Sequence, residues 1–140
     1  MKLTVQFVAT AAVLVLASRG AHGADVKVIA NPSVAMKAVS ADDLKDIFLE
    51  NKDLLGGAHV EPVLLKNGAA HEAFLSEYVG KSDAGLRAYY RSLIFTGKGA
   101  IPKDFGSDAE VVAYVAKTRG AIGYVRSTTD TAGVNVLAVK

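Results

Sequence analysis

Apolar residues fall into short, separated blocks along this chain, and the spacing within each block assigns an element to it. Val26-Lys27-Val28-Ile29-Ala30 is rich in β-branched residues, alternates in part, and halts at Asn31-Pro32-Ser33, which predicts a strand followed by a stop. Ser40 then precedes a stretch with acids at Asp42 and Asp43 and apolar Leu44, Ile47 and Phe48 at helical spacing. A hydroxyl cap, early carboxylates and a period near 3.6 agree on a helix to Leu49, fraying near Asn51 before the Gly56-Gly57 turn. Residues 60–65 predict a second strand, in which Pro62 requires an edge or an early position because it has no N–H to give.

Lys66-Asn67-Gly68-Ala69-Ala70 reads as a tight loop into a helix from near His71 to Val79, with Phe74, Leu75 and Tyr78 on one side. Ser82 caps a further helix with a broad apolar face of Leu86, Tyr89, Tyr90, Leu93 and Ile94, ended by Thr96-Gly97-Lys98-Gly99. Ser107-Asp108-Ala109-Glu110 has the pattern of a capping box, and the helix it opens carries Val111, Val112, Tyr114 and Val115 and ends at Gly120. Residues 121–125 and 134–139 predict the last two strands. Four strands interleaved with four helices imply a layered α/β domain, without internal repeat, linker or low-complexity tract after residue 23.

Residues 1–23 have another character. Lys2 gives a positive start, residues 5–17 carry no charge, and Ala21-His22-Gly23 places small residues three and one before Ala24. This is the layout of a cleavable secretory signal. The apolar run ends at Ser18-Arg19-Gly20, short of the roughly 20 residues of a membrane-spanning helix, and no cysteine follows to take a lipid. The expected product is an exported domain of residues 24–140, periplasmic or released.

Removing that segment changes the electrostatics. The full chain has 16 basic and 14 acidic residues; Lys2 and Arg19 leave with the signal, so 14 of each remain. A neutral domain lacks the basic footprint of a nucleic-acid binder and gives no support to polyanion or membrane-surface binding. The chain has no cysteine, which excludes thiol nucleophiles and thiolate metal sites and leaves stability to packing.

The order of these elements, with Asp46-Ile47-Phe48-Leu49 on the first helix, Pro62-Val63, Phe74, Phe95-Thr96-Gly97 and finally Thr118-Arg119-Gly120-Ala121-Ile122-Gly123-Tyr124-Val125, resembles the phosphate ABC-transporter substrate-binding proteins. The last stretch is the most specific part. The resemblance implies a type II periplasmic-binding-protein fold: a single lobe, with a small mixed sheet flanked by about four helices, matching the second lobe of two-lobed proteins. A ligand would then be half enclosed unless a second chain supplied the other wall. The chain departs from the family in lacking its tryptophan after the first helix, where Asn51-Lys52-Asp53-Leu54-Leu55-Gly56-Gly57 stands. It also lacks the arginine, acid and serine-glycine-threonine run of the ligand loop, since the matching residues are Lys66, Asn67, Gly68, Ala69, Ala70 and His71.

Those six residues are the first candidate site. Backbone amides at a strand-to-helix turn attract an anion without side-chain help, Lys66 adds charge and His71 a titratable donor; an ordinary connection with a solvated lysine and histidine is the alternative. Thr96, Gly97 and Lys98 form a second glycine-rich basic loop, a weak motif without the spacing of a P-loop, whose glycines a turn ending the preceding helix explains. Ser33, after the first strand, is a further candidate for a cleft position. His59 and His71 have no partner at metal-ligand spacing, and no serine sits in a nucleophile context, so neither a metal, a cofactor nor an enzymatic activity is expected. The five tyrosines read as core residues and Arg87 with Arg91 as a solvated face. Two functions follow: recognition of a small, phosphate-like oxyanion for uptake or sensing, or a ligand-free module that docks a membrane transporter, a sensor or a second copy of itself.

Overall fold

The computed structural model describes residues 25–140; the segment read as an export signal, 1–23, lies outside the described residues. The β-branched block forms β1 (Val26–Ala30), and a two-residue strand, β2 (Ala38–Val39), precedes α1 (Ala41–Phe48). The Ser40 hydroxyl caps α1 by accepting from the Asp43 N–H at 3.0 Å. A small hairpin of β3 (Leu54–Leu55) and β4 (Ala58–His59) leads to β5 (Glu61–Leu65). Helix α2 (Ala69–Phe74) runs on without a break into a π-wound turn, Leu75–Val79, and α3 (Asp83–Phe95), β6 (Lys103–Phe105), α4 (Asp108–Lys117), β7 (Ala121–Arg126) and β8 (Asn135–Val139) complete the chain.

Six strands form one mixed sheet in the order β2-β8-β1-β7-β5-β6, with β3 and β4 apart from it. β1 is antiparallel to both β7 and β8, whereas β5 is parallel to β7 and to β6. The mixed sheet and the four helices agree with the sequence expectation, and the added strands are two or three residues long. Pro62 takes the early position: β6 pairs with β5 only from Val63 onward, so on that side no ladder bond is lost to the missing N–H.

Alternate residues of β7 show how the layers are built. Tyr124 faces α1 and α2, its ring stacked on Phe74 at 3.8 Å between centroids and edge-on to Phe48 at 5.8 Å. Gly123 faces the opposite way, toward α4, where a Cβ would lie 2.9 Å from Val63 Cγ2 and 3.1 Å from Val111 Cγ1. Helix α4 thus presses on one face of the sheet while α1 and α2 cover the other, and a residue without a side chain lets α4 come close. The Asn31 amide, buried at the end of β1, ties this face by donating to the carbonyls of Val115 and Ala116 at 2.8 and 3.2 Å.

On the other face, Tyr90 and Tyr89 of α3 donate their hydroxyls to the carbonyls of Phe48 and Leu49 at 2.6 Å each. These bonds satisfy carbonyls that the end of α1 leaves without an intrahelical partner. Tyr90 and Tyr124 are buried core residues, and Tyr78, Tyr89 and Tyr114 are half-buried against the core, in line with the packing role read from the sequence.

Candidate functional site

Strands β5 and β6 lie side by side and point the same way, but the chain leaves their ends toward opposite faces of the sheet: from β5 into α2, and from β6 into α4. Such a divergence opens a crevice at the carboxyl ends of the strands, the place where open α/β sheets bind ligands. The first candidate loop sits there. Lys66 N–H donates to the Phe105 carbonyl at 2.9 Å, holding the loop after β5 against the end of β6. Residues 66–69 are exposed.

The two helix starts at this crevice differ. That of α4 is filled: Ser107 Oγ accepts from the Glu110 N–H at 3.2 Å, and Glu110 Oε2 accepts from the Gly106 N–H at 2.9 Å. The glutamate therefore reaches one residue further back than the reciprocal box read from the sequence, with two acids, Asp108 and Glu110, in the first turn. That of α2 is open. Its N-cap is Gly68, at φ +103°, a conformation that disfavours side chains, and no side chain caps it. Lys66 is the cation of this loop, and Asn67, Gly68 and Ala69 its exposed remainder, while Ala70 is buried.

His71 stands differently from the other five. Its ring is 1 % exposed and turned into the core, with Nδ1 2.5 Å from the Tyr124 hydroxyl and Nε2 2.7 Å from Asp83 Oδ1. It reaches the loop surface with its backbone alone. Helical spacing carried the signal, because His71 lies three and four residues before buried Phe74 and Leu75 and so shares their face. Arg87 departs from the solvated face assigned to it. It donates to Asp83 at 3.2 Å and to Asp104 at 2.7 Å, with its side chain 24 % exposed.

Burial raises the Asp83 carboxyl, but the hydrogen bond from His71 and the charge of Arg87 outweigh it and hold the group below its ordinary value. Burial pushes the Tyr124 phenol well up, against the opposing bond from the Leu65 amide, and keeps it protonated.

The secondary candidates lie elsewhere. β1 runs against β5 and β7, so Ser33, three residues past β1, sits where β5 and β7 begin, at the opposite end of the sheet from Lys66. Its hydroxyl accepts from the Gly120 N–H at 2.9 Å. Thr96, Gly97 and Lys98 close α3: Thr96 donates its hydroxyl to the carbonyls of Ser92 and Leu93, Gly97 has φ +70°, and Lys98 N–H returns to the Leu93 carbonyl. The residues that follow, Ala100 to Pro102, line a depression with Glu61 and Pro62 at the start of β5. Among the described residues no group of three or more histidine or acidic side chains could hold a metal, and no helix is long and apolar enough to cross a membrane.

No protein-family model matches this chain, and neither does any curated protein. Solved structures do. A protein of Clostridium perfringens, assigned as a phosphate ABC transporter substrate-binding protein with bound phosphate, superposes with a TM-score of 0.60 at 20% identity, covering 82% of this chain and 44% of its own. PstS from Borrelia burgdorferi gives 0.63 at 14% identity over 83% and 47%, and an ABC-type phosphate transport receptor from Vibrio cholerae gives 0.60 at 12% over 82% and 46%. The Clostridium and Vibrio proteins are named for binding or transport rather than for catalysis. The chain spans less than half the length of these structures. It has the mixed α/β fold that these structures show over the matched part of their length, at the size of a single lobe.

Proposed function

We propose that the protein is an exported, single-lobe binding protein that takes a phosphate-like oxyanion at the 66–70 loop in the service of an uptake or sensing system. Residues 1–23 are its cleavable export signal in this reading and 24–140 the working lobe. The observation that carries it is the uncapped start of α2 at the crevice between β5 and β6, beside a lysine and opposite a helix start already filled by its own carboxylate. Backbone N–H groups there would bind the anion, aided by the helix dipole and the Lys66 ammonium. His71 contributes through its backbone, since its ring is engaged below.

Thermal unfolding in rising phosphate, arsenate and sulfate tests this. A ligand at 100 times its Kd stabilises the folded state by about 2.7 kcal/mol, so a clear rise in Tm is expected, smaller in Lys66→Ala. A flat response to high millimolar anion sinks the proposal.

A second reading has an observation of its own. Phe95 is 93 % exposed at the end of α3, with Ile94 and Ile101 exposed nearby, and such apolar surface suits a protein partner. As a docking module the lobe would contact a transporter, a sensor or another copy of itself. Sedimentation of the wild type against Phe95→Ser separates the readings, because loss of self-association with unchanged anion response supports docking.

A further inference from the structure

We propose that the Tyr124 hydroxyl, together with the His71 ring, is a clamp that joins the two stems of the 66–70 loop and fixes its conformation. Both are positioning residues, and only the consequence for anion affinity rests on the function proposed above.

Leu65 is the last residue before the loop and His71 the first after it. One oxygen holds both: the Leu65 N–H donates to the Tyr124 hydroxyl at 3.2 Å, and the same hydroxyl lies 2.5 Å from His71 Nδ1. The pairing of β5 with β7 covers only Glu61 with Ala121 and Pro62 with Ile122, so the Leu65 amide lies past the end of that ladder and donates to a side chain of β7 instead. An unpaired buried amide would cost stability, and Tyr124 supplies its acceptor.

The protons follow from the partners. The Asp83 carboxylate can only accept, so in its neutral form the His71 ring carries its proton on Nε2 and donates it to Asp83 Oδ1 at 2.7 Å. Nδ1 is then left to accept from the phenol, whose oxygen accepts in turn from Leu65. Arg87 holds Asp83 and also Asp104 of β6, and Asp104 stands beside Leu64 of β5 in the parallel ladder. The bonds therefore run from β5 to β7, α2, α3 and β6 and back to β5, a closed ring around the base of the loop. No buried side-chain polar atom among the described residues is left without a partner. Stacking of Tyr124 on Phe74 sets the ring plane that aims the hydroxyl.

Amide hydrogen exchange on the full mature chain tests the clamp through Tyr124→Phe, His71→Ala and His71→Gln. In Tyr124→Phe the hydrogen-bonded amides at the two stems, Leu65, Lys66 and Glu72, should exchange about ten-fold faster than in the wild type, after correction for the change at Ile29 in β1, the effect of one buried N–H losing its acceptor. His71→Ala keeps the acceptor of the Leu65 amide but removes the α2 partner of both the phenol and Asp83, and should accelerate the same amides by loosening the second stem. His71→Gln should restore most of the protection, because its carbonyl can accept from the phenol and its amide can donate to Asp83. Phosphate affinity should fall and recover in parallel. Uniform acceleration across the chain, or His71→Gln behaving as His71→Ala, overturns the clamp. If Tyr124→Phe does not fold, the two His71 variants decide alone. Should the wild type bind no oxyanion, the exchange data still test the clamp, so the loop's ligand and its positioning fail separately.

Discussion

The crevice exists because α4 and α2 leave neighbouring strands toward opposite faces, and that depends on how closely α4 sits on β7. Gly123→Ala tests the contact. The new Cβ would stand 2.9 Å from Val63 Cγ2, 3.1 Å from Val111 Cγ1 and 3.6 Å from Val115 Cγ2, three side chains that are fully buried. Something must shift by several tenths of an ångström, and overpacking of this kind costs about 1–3 kcal/mol. The nearest neighbour suggests its own relief. Val63→Ala alone should cost about 2 kcal/mol from lost burial, but in the double variant the methyl added at position 123 occupies space that Val63 gave up. The double variant should therefore be more stable than the sum of the two singles by at least about 0.5 kcal/mol. Urea unfolding of the four proteins, at constant m, reads this coupling. Strict additivity, or a neutral Gly123→Ala, would refute the close approach of α4 and with it the two-sided layering that opens the crevice.

Other outcomes follow from single contacts. Gly120 has φ +79°, and a Cβ there would run into the His59 carbonyl oxygen, so Gly120→Ala should cost more than Gly123→Ala in the same urea series, since backbone cannot step aside as a valine can. Tyr90→Phe removes the hydroxyl bond to the Phe48 carbonyl and should cost about 1–2 kcal/mol with no change in anion response. Asp83 has a folded-state pKa below its ordinary 3.8, so its contribution to stability is present above that value and is lost as pH falls through the lower, folded pKa. Asp83→Asn should accordingly flatten the acid limb of a Tm-against-pH curve, and an unchanged limb would count against the His71–Asp83–Arg87 chain.

Local signals were legible in the sequence wherever one segment settles its own conformation. Ser40, Ser82 and Ser107 each cap the helix that follows them, because a hydroxyl reaching an amide three residues on needs nothing from the rest of the chain. The blocks behind β1, β5, β7 and β8 were legible for a related reason: β-branched or apolar runs have few places to go except a core. The strands that were not, β2, β3, β4 and β6, are two or three residues long, and Lys103-Asp104-Phe105 carries two charges. Such pieces become strands only because a neighbour offers hydrogen bonds, as β5 does for β6.

For the site, the sequence by itself determined the loop: its lysine, its glycine and its lack of hydroxyls are properties of residues 66–70 alone. Tertiary structure decided the remainder. It placed Ser33 and the 96–98 turn at the far end of the sheet, since strand direction is set by pairing and no single segment encodes it. It also brought Tyr124, 53 residues away in sequence, onto His71, turning a residue read as a surface donor into part of the loop's foundation. A side chain's chemistry is written in the chain, but whether it meets solvent or a buried partner depends on what the fold packs against it.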